Sequence, residues 1–215
     1  MSIDIKCFWE KCDKTFAHIT IDKWLSNYKS ITNIWQKMFI DQLLSFTELK
    51  NKTIVDYGIG GGYLGVYLHE RYHISKYIGI DIAQRSLDYA YKNLQDNHVN
   101  HELYLAPVQF KNFNADIFIC QAVIQHFPDE SYFQDFLTNI NRSNIKHIML
   151  QIRFNKQTIF NNDEYNTNIS LESVKYKCRT NNSYILKFLN NYDNIYESNI
   201  DGRNYQFLIY QLQET

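Results

Sequence analysis

The sequence predicts an α/β fold: a mostly parallel sheet with helices on both faces, a C-terminal antiparallel hairpin, and a helical cover at the N-terminus. Three observations predict it. From Lys52 onward, short apolar runs alternate with helical stretches about four times, and parallel strands require such long crossovers, which bury them on both faces. Six of the seven glycines lie between Gly58 and Gly79, where the first apolar run gives way to a helical stretch. The chain also ends in two strand-like runs flanking Asp201-Gly202, a dipeptide that favours tight turns.

Residues 1–48 read as helical, most clearly at NIWQKMFIDQLLSF, where Trp35, Phe39 and Leu43 recur at i, i+4 with Met38 and Phe46 beside them. Phe8, Trp9, Phe16, Trp24 and Tyr28 make this segment aromatic, and we expect it to form either a cover over the rest of the molecule or a plain helical layer packed on the sheet. Residues 49–215 then form the main unit of a single compact domain. Its elements follow in order: KTIVDYG as a strand, YLGVYLHERY as a helix, KYIGID as a strand, QRSLDYAYKNLQ as a helix, and HELYLA and ADIFICQAV as strands. ESYFQDFLTNI is a helix and IKHIMLQI a strand. In the last third, KYKCR reads as a strand, NSYILKFLNNY as a helix, and NIYESNI with YQFLIYQLQ as the hairpin.

Composition bounds the function. The 215 residues are 45% hydrophobic and 16% aromatic, with a formal net charge of -1, so the chain has neither the low hydrophobicity nor the high charge of a disordered segment. A chain of this length buries about 70% of its unfolded surface and needs no disulfide or metal staple. Near-neutral charge argues against nucleic acid or an anionic membrane as a partner, since both leave a basic footprint. No apolar run reads as a signal peptide or a spanning helix, and a cytoplasmic location is expected. Cys7, Cys12, Cys120 and Cys178 are scattered, which favours reduced thiols and no metal.

The sharpest local signal is Val55-Asp56-Tyr57-Gly58-Ile59-Gly60-Gly61-Gly62-Tyr63-Leu64-Gly65. Glycines at a strand-to-helix turn let the backbone bend tightly and approach a ligand. Asp81 closes the next strand, near the offset at which a carboxylate meets ribose hydroxyls. Gly60, Gly62 and Gly65 also satisfy G-x-G-x-x-G, which admits a nicotinamide or flavin dinucleotide. Asp56 opposes that reading, because a carboxylate at the strand tip repels a pyrophosphate and suits a cationic ligand such as an amino acid ammonium.

Together these residues resemble the class I S-adenosylmethionine-dependent methyltransferases. Asp56, Gly58, Gly60 and Gly62 match the family's first motif, and Asp81 its second. The run from Ala115 to Asp129, with Cys120-Gln121-Ala122-Val123-Ile124-Gln125-His126-Phe127-Pro128-Asp129, looks like its fourth strand and the loop that follows. The resemblance covers residues 50–152 and implies a Rossmann-like seven-stranded sheet. It also implies S-adenosylmethionine laid across the strand tips, released as S-adenosylhomocysteine. Gly58, Gly60 and Gly62 would lie under the methionine part, with Asp56 acting through a network near its ammonium. Asp81 would meet the ribose, Ile82 the adenine, and Cys120 with Gln121 the methionine end. Where the family often has an acidic adenine ligand, this chain has Leu105-Ala106-Pro107-Val108, so adenine recognition at Ala106 rests on backbone and apolar contact.

The resemblance constrains the acceptor less. His126 is the candidate base for an alcohol acceptor; the alternative is a histidine that only holds its loop. The Asn/Asp-Pro-Pro-aromatic motif of enzymes that methylate base amino groups is missing at Cys120-Gln121-Ala122-Val123. A small molecule methylated on oxygen is therefore the expected acceptor. In an extended segment Lys175, Lys177 and Arg179 share a face, either as an anion grip or as a solvated strand edge. Gln125, Arg153, Gln151 and Asn155 are further candidates on the acceptor side. If Arg153 and Arg179 converge, the acceptor is anionic, such as a phosphorylated or nucleotide-activated metabolite. Two other classes remain open: a nicotinamide-dependent oxidoreductase and a non-catalytic module that retains the fold.

Overall fold

The structure, a computed structural model, describes Lys6 and residues 31–160, 178–200 and 205–214. Its main sheet has seven strands in the order β3-β2-β1-β4-β5-β9-β8. These are β1 (Thr53–Tyr57), β2 (Lys76–Asp81), β3 (His101–Leu105), β4 (Ile117–Cys120), β5 (His147–Arg153), β8 (Tyr192–Ile200) and β9 (Tyr205–Leu212). The pairs β1–β2, β2–β3 and β4–β5 are parallel, whereas β9 runs antiparallel to both β5 and β8. The predicted C-terminal hairpin is therefore present; its expected turn at Asp201-Gly202 lies outside the described residues. Two short strands, β6 (Ile159–Phe160) and β7 (Cys178–Arg179), form a separate antiparallel pair. The chain divides into two compact units, residues 9–107 and residues 108–215 with the first eight residues.

In the first unit, α1 (Ile31–Leu44) precedes the sheet strands, and Phe39, Ile40 and Leu43 on it are fully buried. The rest of the aromatic cover, from Phe8 to Tyr28, lies outside the described residues. The helices α2 (Tyr63–Tyr72) and α3 (Gln84–Asp96) link the three parallel strands. On α3 the residues Leu87, Ala90 and Leu94 are buried, the i, i+3, i+7 stripe of a helix with one apolar face. Gly65 brings α2 close: a Cβ there would lie 2.5 Å from the Tyr77 ring and 2.8 Å from Leu94, well inside contact distance. This glycine serves packing.

In the second unit, α4 (Glu130–Asn141) begins where Asp129 accepts a hydrogen bond from the Tyr132 backbone N–H at 2.8 Å. Such a cap satisfies one of the donors left free at a helix start. Phe133, Phe136, Leu137 and Ile140 on α4 are buried, and burying each phenylalanine side chain contributes about 1.5–3 kcal/mol. The aromatic layer continues through Phe110, Phe118 and Phe127 and, by way of Phe133, to Tyr184 and Phe160. Tyr184 sits on α5 (Asn182–Leu186), capped by the Asn181 side chain. This helix is shorter than the sequence pattern suggests: the Tyr192 N–H already bonds to the Leu189 carbonyl in the turn that starts β8.

Candidate active site

At the end of β1 the backbone turns through Gly58, Gly60 and Gly62, with φ of 86°, 53° and 76°. L-residues with a side chain rarely adopt these left-handed values, which is the physical reason for glycine at each. The loop is bonded to β2 and α3. Gly58 N–H and Ile59 N–H both donate to the Ile80 carbonyl, at 2.7 and 3.1 Å, and Asn93 Nδ2 on α3 donates to the Gly61 carbonyl at 2.7 Å. A Cβ on Gly62 would press on the Ala90 backbone at 3.1 Å, whereas one on Gly60 would meet nothing within 4 Å. Gly62 is thus required by packing and Gly60 borders open space.

Asp81, at the tip of β2, organises this loop directly. Its Oδ2 accepts from Gly60 N–H at 3.0 Å and its Oδ1 from Ala83 N–H at 3.0 Å. One carboxylate thereby fixes the glycine turn and the start of α3, whose N-cap residue, Ala83, has no side-chain oxygen. Ile82, next in the chain, is half-buried. Ala106 is buried, and its N–H donates to the Asp81 carbonyl at 2.8 Å, tying the end of β3 to the same tip.

Asp56 is nearly fully buried, two residues before the loop. Its Oδ2 accepts a hydrogen bond from the Tyr77 hydroxyl. Burial pushes its carboxyl up to about 7; the Tyr77 hydrogen bond opposes that rise and the nearby Asp81 charge adds to it. Among the described residues no donor reaches the other oxygen, Oδ1.

The second unit holds the remaining predicted residues. Cys120 is buried at the end of β4 and Gln121 is half-buried. Ala122 follows with φ of 56°, a left-handed non-glycine residue of the kind that collects at functional sites; alanine gives no sequence signal for it. A 3₁₀ turn, Ile124–His126, comes next. In that turn Gln125 is buried, and its Oε1 has no hydrogen-bond partner among the described residues. His126 is pushed down to about 4, first by burial and then by the positive charge of Arg153, and is therefore a neutral imidazole at neutral pH.

Arg153 ends β5 beside the segment that carries Arg179. Thr180 N–H donates to the Arg153 carbonyl at 3.1 Å, and Asn155 N–H to the Thr180 carbonyl at 2.9 Å. The two backbones are thus adjacent, with Arg153 half-buried, Gln151 buried and Arg179 exposed. Cys178 is buried and Arg179 exposed, in line with the expected alternation; Lys175 and Lys177 lie outside the described residues. Thr180, which makes both of these backbone bonds and is fully buried, was not marked by any sequence pattern.

A left-handed glycine turn after β1, an acidic tip on β2 and the strand order 3-2-1-4-5 followed by an antiparallel hairpin now stand together. Residues 54–143 match a family described as "Methyltransferase domain". Over this region the chain is similar to that methyltransferase family. Curated relatives are similar over part of their length, and solved structures are similar in fold. The domain's chain is 40% identical over 80 residues to the ribosomal protein L11 methyltransferase of Tolumonas auensis, covering 36% of this chain and 27% of the relative. It is 29% identical over 122 residues to the ubiquinone biosynthesis O-methyltransferase of Hydrogenovibrio crunogenus, covering 49% and 50%. The chain therefore spans between about a quarter and a half of these relatives' lengths. In fold, the chain is similar to magnesium protoporphyrin IX methyltransferase from Synechocystis PCC 6803, solved with bound S-adenosylhomocysteine. That likeness has a TM-score of 0.62 at 13% identity, over 98% of this chain and 100% of the other. No helix among the described residues is long and apolar enough to cross a membrane.

Proposed function

We propose that the protein is an enzyme that transfers a methyl group from S-adenosylmethionine to the oxygen of a small, anionic acceptor in the cytoplasm. The observation that carries the cofactor half is the Asp81 clamp on the left-handed glycine turn. Open space at Gly60, together with the buried carboxylate of Asp56, fits the amino acid part of that cofactor. When bound, S-adenosylmethionine supplies an electrophilic methyl group on a sulfonium. Gly58, Gly60 and Gly62 carry its methionine part, Asp81 accepts from the ribose hydroxyls, and Ile82 and Ala106 line the adenine. Cys120 and Gln121 serve the methionine end. The N-terminal segment, residues 1–48, covers the domain formed by 49–215.

His126 takes the acceptor's hydroxyl proton on its imidazole. Methyl displacement asks chiefly for alignment, so Gln125 and Arg153 act by holding the acceptor, with Arg179 and Lys177 extending the cationic face. The ionic argument is specific. Burial, and after it the Arg153 charge, holds the His126 imidazole well below its ordinary range, and a base is most effective when its pKa lies near the working pH. An anionic acceptor paired with Arg153 offsets the smaller of these two causes and raises the basicity of His126. The oxygen as target draws support from the similarity to the ubiquinone biosynthesis O-methyltransferase and to a malonyl-[acyl-carrier protein] O-methyltransferase of Acetivibrio thermocellus, 28% identical over 120 residues.

The test is S-adenosylhomocysteine production across matched acceptors: hydroxylated compounds with and without a phosphate or carboxylate, together with an RNA and a protein preparation. We expect turnover on the ionised small molecules, and an Arg153→Gln variant that loses at least about tenfold in kcat/KM on them, since truncating a partly buried charged partner costs 2 kcal/mol or more. Preference for neutral acceptors, or turnover on RNA or protein alone, would overturn the acceptor assignment.

A further inference from the structure

Asp56 is hydrogen-bonded to a residue that the methyl transfer scheme does not use, Tyr77. On the parallel β1–β2 register, Ile54 lies opposite Tyr77 and Asp56 opposite Gly79. Tyr77 is therefore two residues behind Gly79, and its side chain runs along the sheet towards the strand tips to donate to Asp56 Oδ2. Two features hold the ring in that course. Tyr77 is fully buried, and Gly65 on α2 leaves the space its ring occupies. The result is a carboxylate nearly closed to water, with one oxygen taken by a phenol and the other without a donor among the described residues.

A buried carboxylate with a single donor is costly in its charged form. It repays that cost when a cation arrives. We propose that Tyr77 is a positioning residue for the cofactor: its hydroxyl fixes Asp56 so that the free oxygen receives the α-ammonium of S-adenosylmethionine, and cofactor affinity thereby follows the ionisation of Asp56. The inference rests on the cofactor reading above and deepens it. The titratable groups acting on Asp56 are Tyr77 and Asp81, both from β2, while α2 presents the uncharged Gly65 to the Tyr77 ring.

The sign follows from the carboxyl's raised value, about 7. Above it Asp56 is anionic and attracts the ammonium; below it the group is neutral and the attraction is lost. Removing the Tyr77 hydroxyl takes away the one interaction that favours the anion, so the midpoint moves further up.

Calorimetric titration of the full chain with S-adenosylhomocysteine from pH 5.5 to 8.5 tests this. For the wild type, affinity should fall towards tenfold per pH unit below about pH 7. In Tyr77→Phe, which keeps the ring and its packing, the midpoint should rise by about one pH unit. Asp56→Asn should bind weakly at every pH with a flat profile. Binding of 5′-methylthioadenosine, which has the nucleoside and no ammonium, should not vary with pH in any variant. A flat wild-type profile, an unmoved midpoint in Tyr77→Phe, or the same slope for both ligands would overturn the proposal while leaving the cofactor assignment intact. Absence of S-adenosylhomocysteine binding at all pH values would remove both.

Discussion

Replacing His126 with alanine is expected to lower kcat by roughly 10²- to 10⁴-fold, the usual contribution of a general base, and to leave the dissociation constant of S-adenosylhomocysteine unchanged. The residue sits in the 3₁₀ turn after β4, not on the glycine loop or β2. Its backbone N–H donates to the Val123 carbonyl at 2.8 Å, a bond that alanine keeps, so the turn should survive. Because the imidazole is held at about 4 by burial and Arg153, it is the unprotonated, proton-accepting form throughout neutral pH. Activity dependent on it is present above that value and lost as pH falls through it. Binding an anion at Arg153 moves this acid limb upward. An anionic acceptor should therefore show a higher acid limb than a neutral analogue of the same shape, and in Arg153→Gln the two limbs should coincide. A His126→Ala variant with wild-type kcat would make the histidine a loop residue and leave alignment alone to account for the rate.

The second large effect is expected at Asp81. Asp81→Ala removes the acceptor for Gly60 N–H and Ala83 N–H together with the proposed ribose acceptor. Hydrogen bonds to a charged group contribute about 1.5–3 kcal/mol, so affinity for S-adenosylhomocysteine should fall by roughly 10- to 150-fold. Asp81→Asn separates the parts. Its amide places an N–H where one backbone N–H already points, so it should keep one of the two clamps and bind with intermediate affinity. Calorimetry on the three proteins, with thermal unfolding as a control for α3, measures both effects. Wild-type affinity in Asp81→Ala would place the ribose elsewhere.

Much of the fold was legible because its signals are local. The strand IVDY and the helix QRSLDYAYKNLQ declare themselves by apolar spacing. The glycine turn was legible for a physical reason too: three residues with positive φ leave little choice of side chain. What escaped the sequence depends on register between strands. That Tyr77 meets Asp56 follows from a parallel pairing that places Asp56 opposite Gly79, and no window along one strand contains it. Asp81 was read as a ribose ligand, but its hold on Gly60, 21 residues earlier, is equally a tertiary fact. The adjacency of Arg153 and the Arg179 segment was anticipated only as a condition, because it rests on bonds between Thr180 and residues 153–155. The long helix expected over NSYILKFLNNY stops at Leu186, since the last residues of that apolar pattern are spent entering β8.

The central claim is that the glycine turn and Asp81 hold the product of S-adenosylmethionine and not a dinucleotide. Thermal unfolding with each ligand in turn decides it. S-Adenosylhomocysteine at about 100 times its dissociation constant should stabilise the protein by about 2.7 kcal/mol, with no effect from NAD at the same concentration. Stabilisation by NAD, with none from S-adenosylhomocysteine, would contradict the account.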